Sequence, residues 1–234
     1  MKKIVFAFMA VFFGAAFALA WWVNHAAGVR ANSAETPAQE AREAGVRNVA
    51  ILVYDRVELL DFAGPGEVFA AAGRRGGFRV YTVGARREPI TSQGFVQVTP
   101  EFSIADAPRP DIVVIPGGGV DSVLNDRALM DWIRAASQDA EIMLSVCNGA
   151  LVLAQAGLLD GLEATTHHGS LDALRRMAPQ TRVYDHRRFV DNGKVITSAG
   201  VSAGIDSSLY VLQRLKGEDM ARSVARYMEY NWQP

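Results

Sequence analysis

With 234 residues, half of them hydrophobic, the chain can bury a substantial core in one domain of ordinary size, and two full domains would be cramped. Twenty-four Lys and Arg against 25 Asp and Glu leave a formal net charge of −1, which removes the electrostatic case for nucleic acid as a partner. The single cysteine excludes an internal disulfide and any multi-cysteine metal site.

Met1-Lys2-Lys3 is followed by the uncharged stretch Ile4 to Val23, long enough to span a bilayer as a helix. Residues 1–23 are therefore expected to be a signal peptide or a membrane anchor. Ala18-Leu19-Ala20 offers a small-residue cleavage site, whereas Trp21-Trp22 favours a retained anchor with its lysines on the cytoplasmic side. Either outcome implies export to a periplasmic or other extracytoplasmic space. The absence of cysteine from this region excludes a lipoprotein. Residues 24–46 are polar, without an apolar stripe, and read as a flexible linker. Folding is expected over residues 47–234.

Short β-rich runs then alternate with helix-like segments: VAILVY from Val49, FRVYTV from Phe78, DIVVIP from Asp111, EIMLSV from Glu141 and KVITSA from Lys194. This alternation predicts an α/β fold with a doubly wound, mostly parallel sheet covered by helices on both faces. Gly64-Pro65-Gly66-Glu67 marks the opening of the first helix, with Pro in the first turn. Val96 to Asp106 reads as a hairpin or an edge strand. Ile205, Leu209 and Leu212, and then Met220, Val224 and Tyr227, fall at helical spacing and form one-sided stripes. The Arg pairs at 74/75, 86/87, 175/176 and 187/188 are dispersed and read as solvated charges.

Ligands of such sheets collect beyond the carboxyl ends of the strands, and three strand ends carry chemistry. Cys147 lies between a strand and a buried helix, at the turn marked by Asn148-Gly149. Free N–H groups at a helix start favour a thiolate and are expected to bring its pKa towards 7 or lower. The competing reading is a buried, inert thiol. Asp61, set among apolar neighbours in LLDFAGP, is either an acid/base group with a raised pKa or a helix N-cap. The glycines of Pro116-Gly117-Gly118-Gly119 can bring N–H groups close to a ligand. Gly118 and Gly119, with the Asn148 N–H, are candidates for an oxyanion hole. In Thr165-Thr166-His167-His168, adjacent histidines diverge and do not suggest a metal site. His167 is expected as a polar neighbour of Cys147.

Taken in order, LLDFAGPGEVF, PGGG, SVCNGALVLAQAGLLDG, ATTHH and ITSAGVSAGID resemble the ThiJ/PfpI superfamily, with its class I glutamine amidotransferase-like fold, and within it the isonitrile hydratase branch. The likeness runs from about Val49 to Tyr230 and extends to the amidase-like domains of some transcription regulators. It implies a flavodoxin-like sandwich, a homodimer, a small-molecule substrate, and no metal or organic cofactor. It also implies Cys147 as nucleophile and Asp61 as acid/base, converting an isonitrile and water into an N-substituted formamide. Asn148 stands where the hydratases have Thr, and His168 replaces an aromatic residue. The alternatives are an amide or peptide hydrolase, a glyoxalase- or deglycase-type enzyme, and a non-catalytic ligand-binding or thiol redox-sensing domain.

Overall fold

The computed structural model of the chain describes residues 45–234. In chain order, β1 (Arg47–Leu52) leads into α1 (Leu59–Gly73) and β2 (Phe78–Gly84). A hairpin of β3 (Ile90–Ser92) and β4 (Val96–Val98) precedes the short β5 (Phe102–Ser103) and then β6 (Ile112–Ile115). Next come α2 (Asp121–Leu124), α3 (Arg127–Asp139), β7 (Ile142–Ser145), α4 (Gly149–Gln155), β8 (Glu163–Ala164) and a 3-10 turn at His168–Ser170. The chain closes with α5 (Leu171–Met177), β9 (Arg182–Val183), β10 (Phe189–Asp191), β11 (Val195–Ser198), α6 (Ala203–Lys216) and α7 (Glu218–Tyr227).

One seven-stranded sheet has the order β10-β11-β7-β6-β1-β2-β5. Every pairing in it is parallel except the antiparallel β10–β11 edge. Successive side chains of a strand face opposite sides, and the core follows that period. Val49, Ile51, Ile112, Val114, Ile142 and Leu144 pack with Phe69, Leu209, Leu212 and Val224 of α1, α6 and α7. Leu52, Val113, Ile115 and Met143 pack on the other face with Leu129, Ile133, Leu153 and Leu174 of α3, α4 and α5. Each such fully buried side chain contributes about 1.5–3 kcal/mol of hydrophobic stabilisation. The expected doubly wound α/β layers are therefore present.

Three local expectations are changed by the structure, and a fourth is resolved. The helix expected to open at Gly64 begins at Leu59, so Pro65 lies inside α1. The missing Pro65 N–H leaves the Asp61 carbonyl without its usual helical donor. In the stripe of α7, Val224 is buried but Tyr227 is turned outward, with the Arg74 guanidinium over its ring. The ambiguous segment after Val96 supplies both a hairpin strand, β4, and the sheet-edge strand β5. Finally, the membrane-spanning or signal helix expected to precede the domain is not supported, having no counterpart among the described residues. Among the described residues no helix is long and apolar enough to cross a membrane, and residues 4–23 lie outside them.

From β1 the chain moves first to β2 on one side and later to β6 on the other. The carboxyl ends of β1 and β6 thus flank a topological switch point, where open sheets of this kind form a crevice. The first turn of α1 carries Asp61, and the segments after β6 and β7 carry Gly117 to Gly119 and Cys147.

Candidate functional site

Cys147 has φ +56°, a left-handed conformation that non-glycine residues adopt uncommonly. The turn is possible because Gly149 packs directly on β6: a Cβ there would lie 2.1 Å from the Ile115 carbonyl oxygen. Residues just after β11 and β8 hold the Cys147 backbone. Its N–H donates to the Ala199 carbonyl at 3.0 Å, and its own carbonyl accepts from the Thr166 hydroxyl at 2.7 Å. The residue is 8 % exposed, so it is nearly enclosed rather than on the surface.

Asp61 is the third residue of α1 and is fully buried. It is not the N-cap. That position belongs to Glu58, and the Asp61 Oδ2 instead accepts the Gly117 N–H at 2.9 Å. Its Oδ1 has no formed hydrogen bond, although the Cys147 thiol and the Val201 N–H approach the carboxyl closely enough to favour its charged form. Burial outweighs these contacts and, with the nearby Glu58 charge, raises Asp61 from the ordinary 3.8 to about 7.

The thiol departs from the sequence expectation. Burial first, and then the Asp61 charge, push Cys147 up to about 12 against the opposing N–H groups of Asn148 and Val201. Helix-start donors are present as foreseen, but desolvation and a neighbouring carboxylate are stronger. Such values belong to the pair. Burial pushes both the carboxyl and the thiol towards their protonated forms.

The triple glycine also differs from expectation. Its N–H groups are all engaged, with Gly117 donating to Asp61, Gly118 to Asn148 Oδ1 at 2.7 Å, and Gly119 to the Arg56 carbonyl at 2.8 Å. Gly118 and Gly119 therefore offer no free donors for an oxyanion hole. The reason is the Asn148 side chain, which returns a second bond from Nδ2 to the Gly118 carbonyl at 2.9 Å and staples the two turns together. Gly117 is sterically required, since a Cβ on it would fall 2.1 Å from Asn148 Oδ1. The Asn148 backbone N–H remains directed at the sulfur.

His167 is half-buried. Its Nδ1 accepts the Gly169 N–H at 3.2 Å, which leaves Nε2 to carry the proton of the neutral ring. The ring packs near Gly200 and lies 4.1 Å, centroid to centroid, from His168. No hydrogen bond joins it to Cys147, and burial lowers its pKa below the ordinary 6.5, helped by His168.

Four contributors went unassigned in the sequence. The buried Tyr54 hydroxyl donates to the Pro116 and Gly117 carbonyls at 2.8 Å each. Glu58, held by Gln93 Nε2, adds negative charge that raises Asp61, Cys147 and His167 alike. Val201 has φ +50° and aims its N–H at the pair. Thr166 bonds the Cys147 carbonyl. Val201 and Thr166 lie inside ITSAGVSAGID and ATTHH, so those motifs were the available signal.

A flavodoxin-like layered domain with a cysteine on a strained turn after β7, facing a buried carboxyl from α1, defines the thiol-bearing α/β class to which the sequence motifs point. The chain belongs to the DJ-1/PfpI family, whose pattern it matches over residues 47–214. It is 36 % identical over 186 residues to isonitrile hydratase from Pseudomonas putida, covering 78 % of each chain. A ThiJ/PfpI family protein from Pseudomonas syringae superposes with a TM-score of 0.74 at 30 % identity, covering 81 % of this chain and 77 % of that one. The HTH-type transcriptional regulator GbdR of Pseudomonas aeruginosa is 24 % identical over 188 residues, which are 79 % of this chain but 51 % of the regulator.

Proposed function

We propose that this chain is a cysteine-dependent enzyme that adds water to a small electrophilic carbon, converting an isonitrile into an N-substituted formamide. Cys147 is the nucleophile and Asp61 carries the proton. The observation that carries this reading is the placement of Cys147, on its positive-φ turn, beside the fully buried Asp61 carboxyl that the Gly117 N–H holds in position. The likeness to isonitrile hydratase supports the choice of reaction.

In this reaction the Cys147 proton passes to Asp61, and the sulfur forms a bond to the terminal isonitrile carbon. The electron pair left on that carbon takes the proton from Asp61, giving a thioimidate attached to the enzyme. Water then adds to the same carbon. One of its protons goes to nitrogen, the C–S bond breaks with its electrons on sulfur, and the second proton returns to the pair as the formamide leaves. A carboxyl near 7 suits both directions of transfer, since general acid–base groups work best near the operating pH. The Asn148 and Val201 N–H groups stabilise charge on the sulfur.

The test is incubation with a small alkyl isonitrile and measurement of the formamide. Turnover by the wild type and its loss in Cys147→Ala is the expected result. No turnover, or equal turnover in both, overturns the proposal. A ligand-binding domain without catalysis is the second reading, favoured by the likeness to GbdR. In that case the isonitrile stays intact. A homodimer belongs to the first reading and is checked by sedimentation of the soluble part.

A further inference from the structure

Thr166 is a buried polar side chain that the proposed reaction does not use. It is 2 % exposed, and its hydroxyl donates to the Cys147 carbonyl at 2.7 Å. That carbonyl belongs to the same planar peptide unit as the Asn148 N–H. Its C=O and N–H point in opposite directions, so whatever fixes one fixes the other.

We propose that Thr166 is a positioning residue: by pinning the Cys147 carbonyl, its hydroxyl orients the Cys147–Asn148 peptide so that the Asn148 N–H meets the sulfur. The inference rests on reading Cys147 as the reactive thiol. Several features make the hydroxyl a rigid support rather than an incidental contact. The neighbouring Thr165 is tied to β11, its N–H donating to Thr197 Oγ1 at 2.9 Å, and its own hydroxyl donates to the Tyr184 carbonyl at 2.9 Å. On the other side of the turn the Cys147 N–H is held by Ala199 at 3.0 Å, and the Ala199 N–H in turn donates to Arg188 at 2.9 Å. A non-glycine residue at φ +56° persists only where its surroundings over-determine it. Both peptide groups flanking Cys147 are held in this way, the Cys147 carbonyl by the Thr166 hydroxyl.

The experiment is iodoacetamide alkylation of Cys147 as a function of pH in the full chain. Thr166→Val keeps the side-chain shape and removes the hydroxyl, while Thr166→Ser keeps the hydroxyl. The Val variant is expected to react about 10- to 100-fold more slowly, the range associated with small misplacements of a reacting group. Its pH midpoint is expected to move upward as the sulfur loses the Asn148 donor. The Ser variant restores both rate and midpoint. A merely structural role lowers the folded fraction and leaves the midpoint of the folded protein where it was. Wild-type rate and midpoint in Thr166→Val, or a Ser variant as impaired as Val, overturns the proposal. If the Val variant does not fold, Thr166→Ala against Thr166→Ser gives the same decision. Alkylation is independent of hydration: should Cys147→Ala keep isonitrile turnover while the Thr166 variants shift alkylation, the enzymatic reading falls and the positioning role stands.

Discussion

Replacing Asp61 with Asn should make the protein more stable above neutral pH while removing the proposed proton carrier. Asp61 is fully buried, and its carboxyl is raised from 3.8 to about 7, chiefly by desolvation. A carboxyl raised on folding binds a proton that the unfolded chain releases, so its contribution is complete below 3.8 and is lost as the pH rises through about 7. At about 1.4 kcal/mol for each pH unit, the ionised side chain costs the fold about 4 kcal/mol. The Asn carbonyl can still accept the Gly117 N–H, but its NH2 then faces the Val201 N–H, a mismatch worth about 1–2 kcal/mol. The net gain at pH 8 is therefore about 2–3 kcal/mol, small or reversed at pH 4. Urea unfolding of both proteins at several pH values gives the difference directly, and groups other than Asp61 cancel in it. A stability difference that does not change between pH 4 and pH 8 would refute a buried carboxyl ionising near 7.

Gly149→Ala places a methyl group 2.1 Å from the Ile115 carbonyl oxygen, and α4 must back away from β6 to accept it. The expected cost is about 1–3 kcal/mol, read as a lower urea midpoint; an unchanged midpoint contradicts the close packing described. For His167, whose pKa is lowered first by burial and then by His168, the imidazole should be neutral at pH 7. Its ring-proton NMR titration is expected to have a midpoint below 6.5, and a higher midpoint rules out the buried setting.

The layered fold was legible because it follows from residue period and run length. VAILVY, DIVVIP and EIMLSV are apolar on both faces, as inner strands of a covered parallel sheet must be, and they occupy β1, β6 and β7. Cys147 lies just after the β7 strand end, whereas Asp61, expected at the end of the first strand, lies inside α1. Protonation was not legible, because it depends on whether desolvation or local donors win. At Cys147 the desolvation outweighs the Asn148 and Val201 N–H groups. Nor could the sequence tell that the triple glycine spends its N–H groups inward, since that depends on the Asn148 side chain meeting Gly118. The helix start at Leu59 was hidden by Pro65, which normally argues against a helix interior. Val201 is β-branched, and no local signal marks such a residue for a positive φ.

The placement of Cys147 beside the Asp61 carboxyl is the claim on which the rest depends, and the pH dependence of Cys147 alkylation by iodoacetamide in wild type and Asp61→Asn tests it most directly. The wild-type rate should rise through about 7 as the pair loses its first proton, and that step should vanish in the variant, leaving a single rise below the wild type's upper step because the Asp61 charge that raises the thiol is gone. One step near the ordinary thiol range in both proteins would mean that the sulfur titrates without the carboxyl.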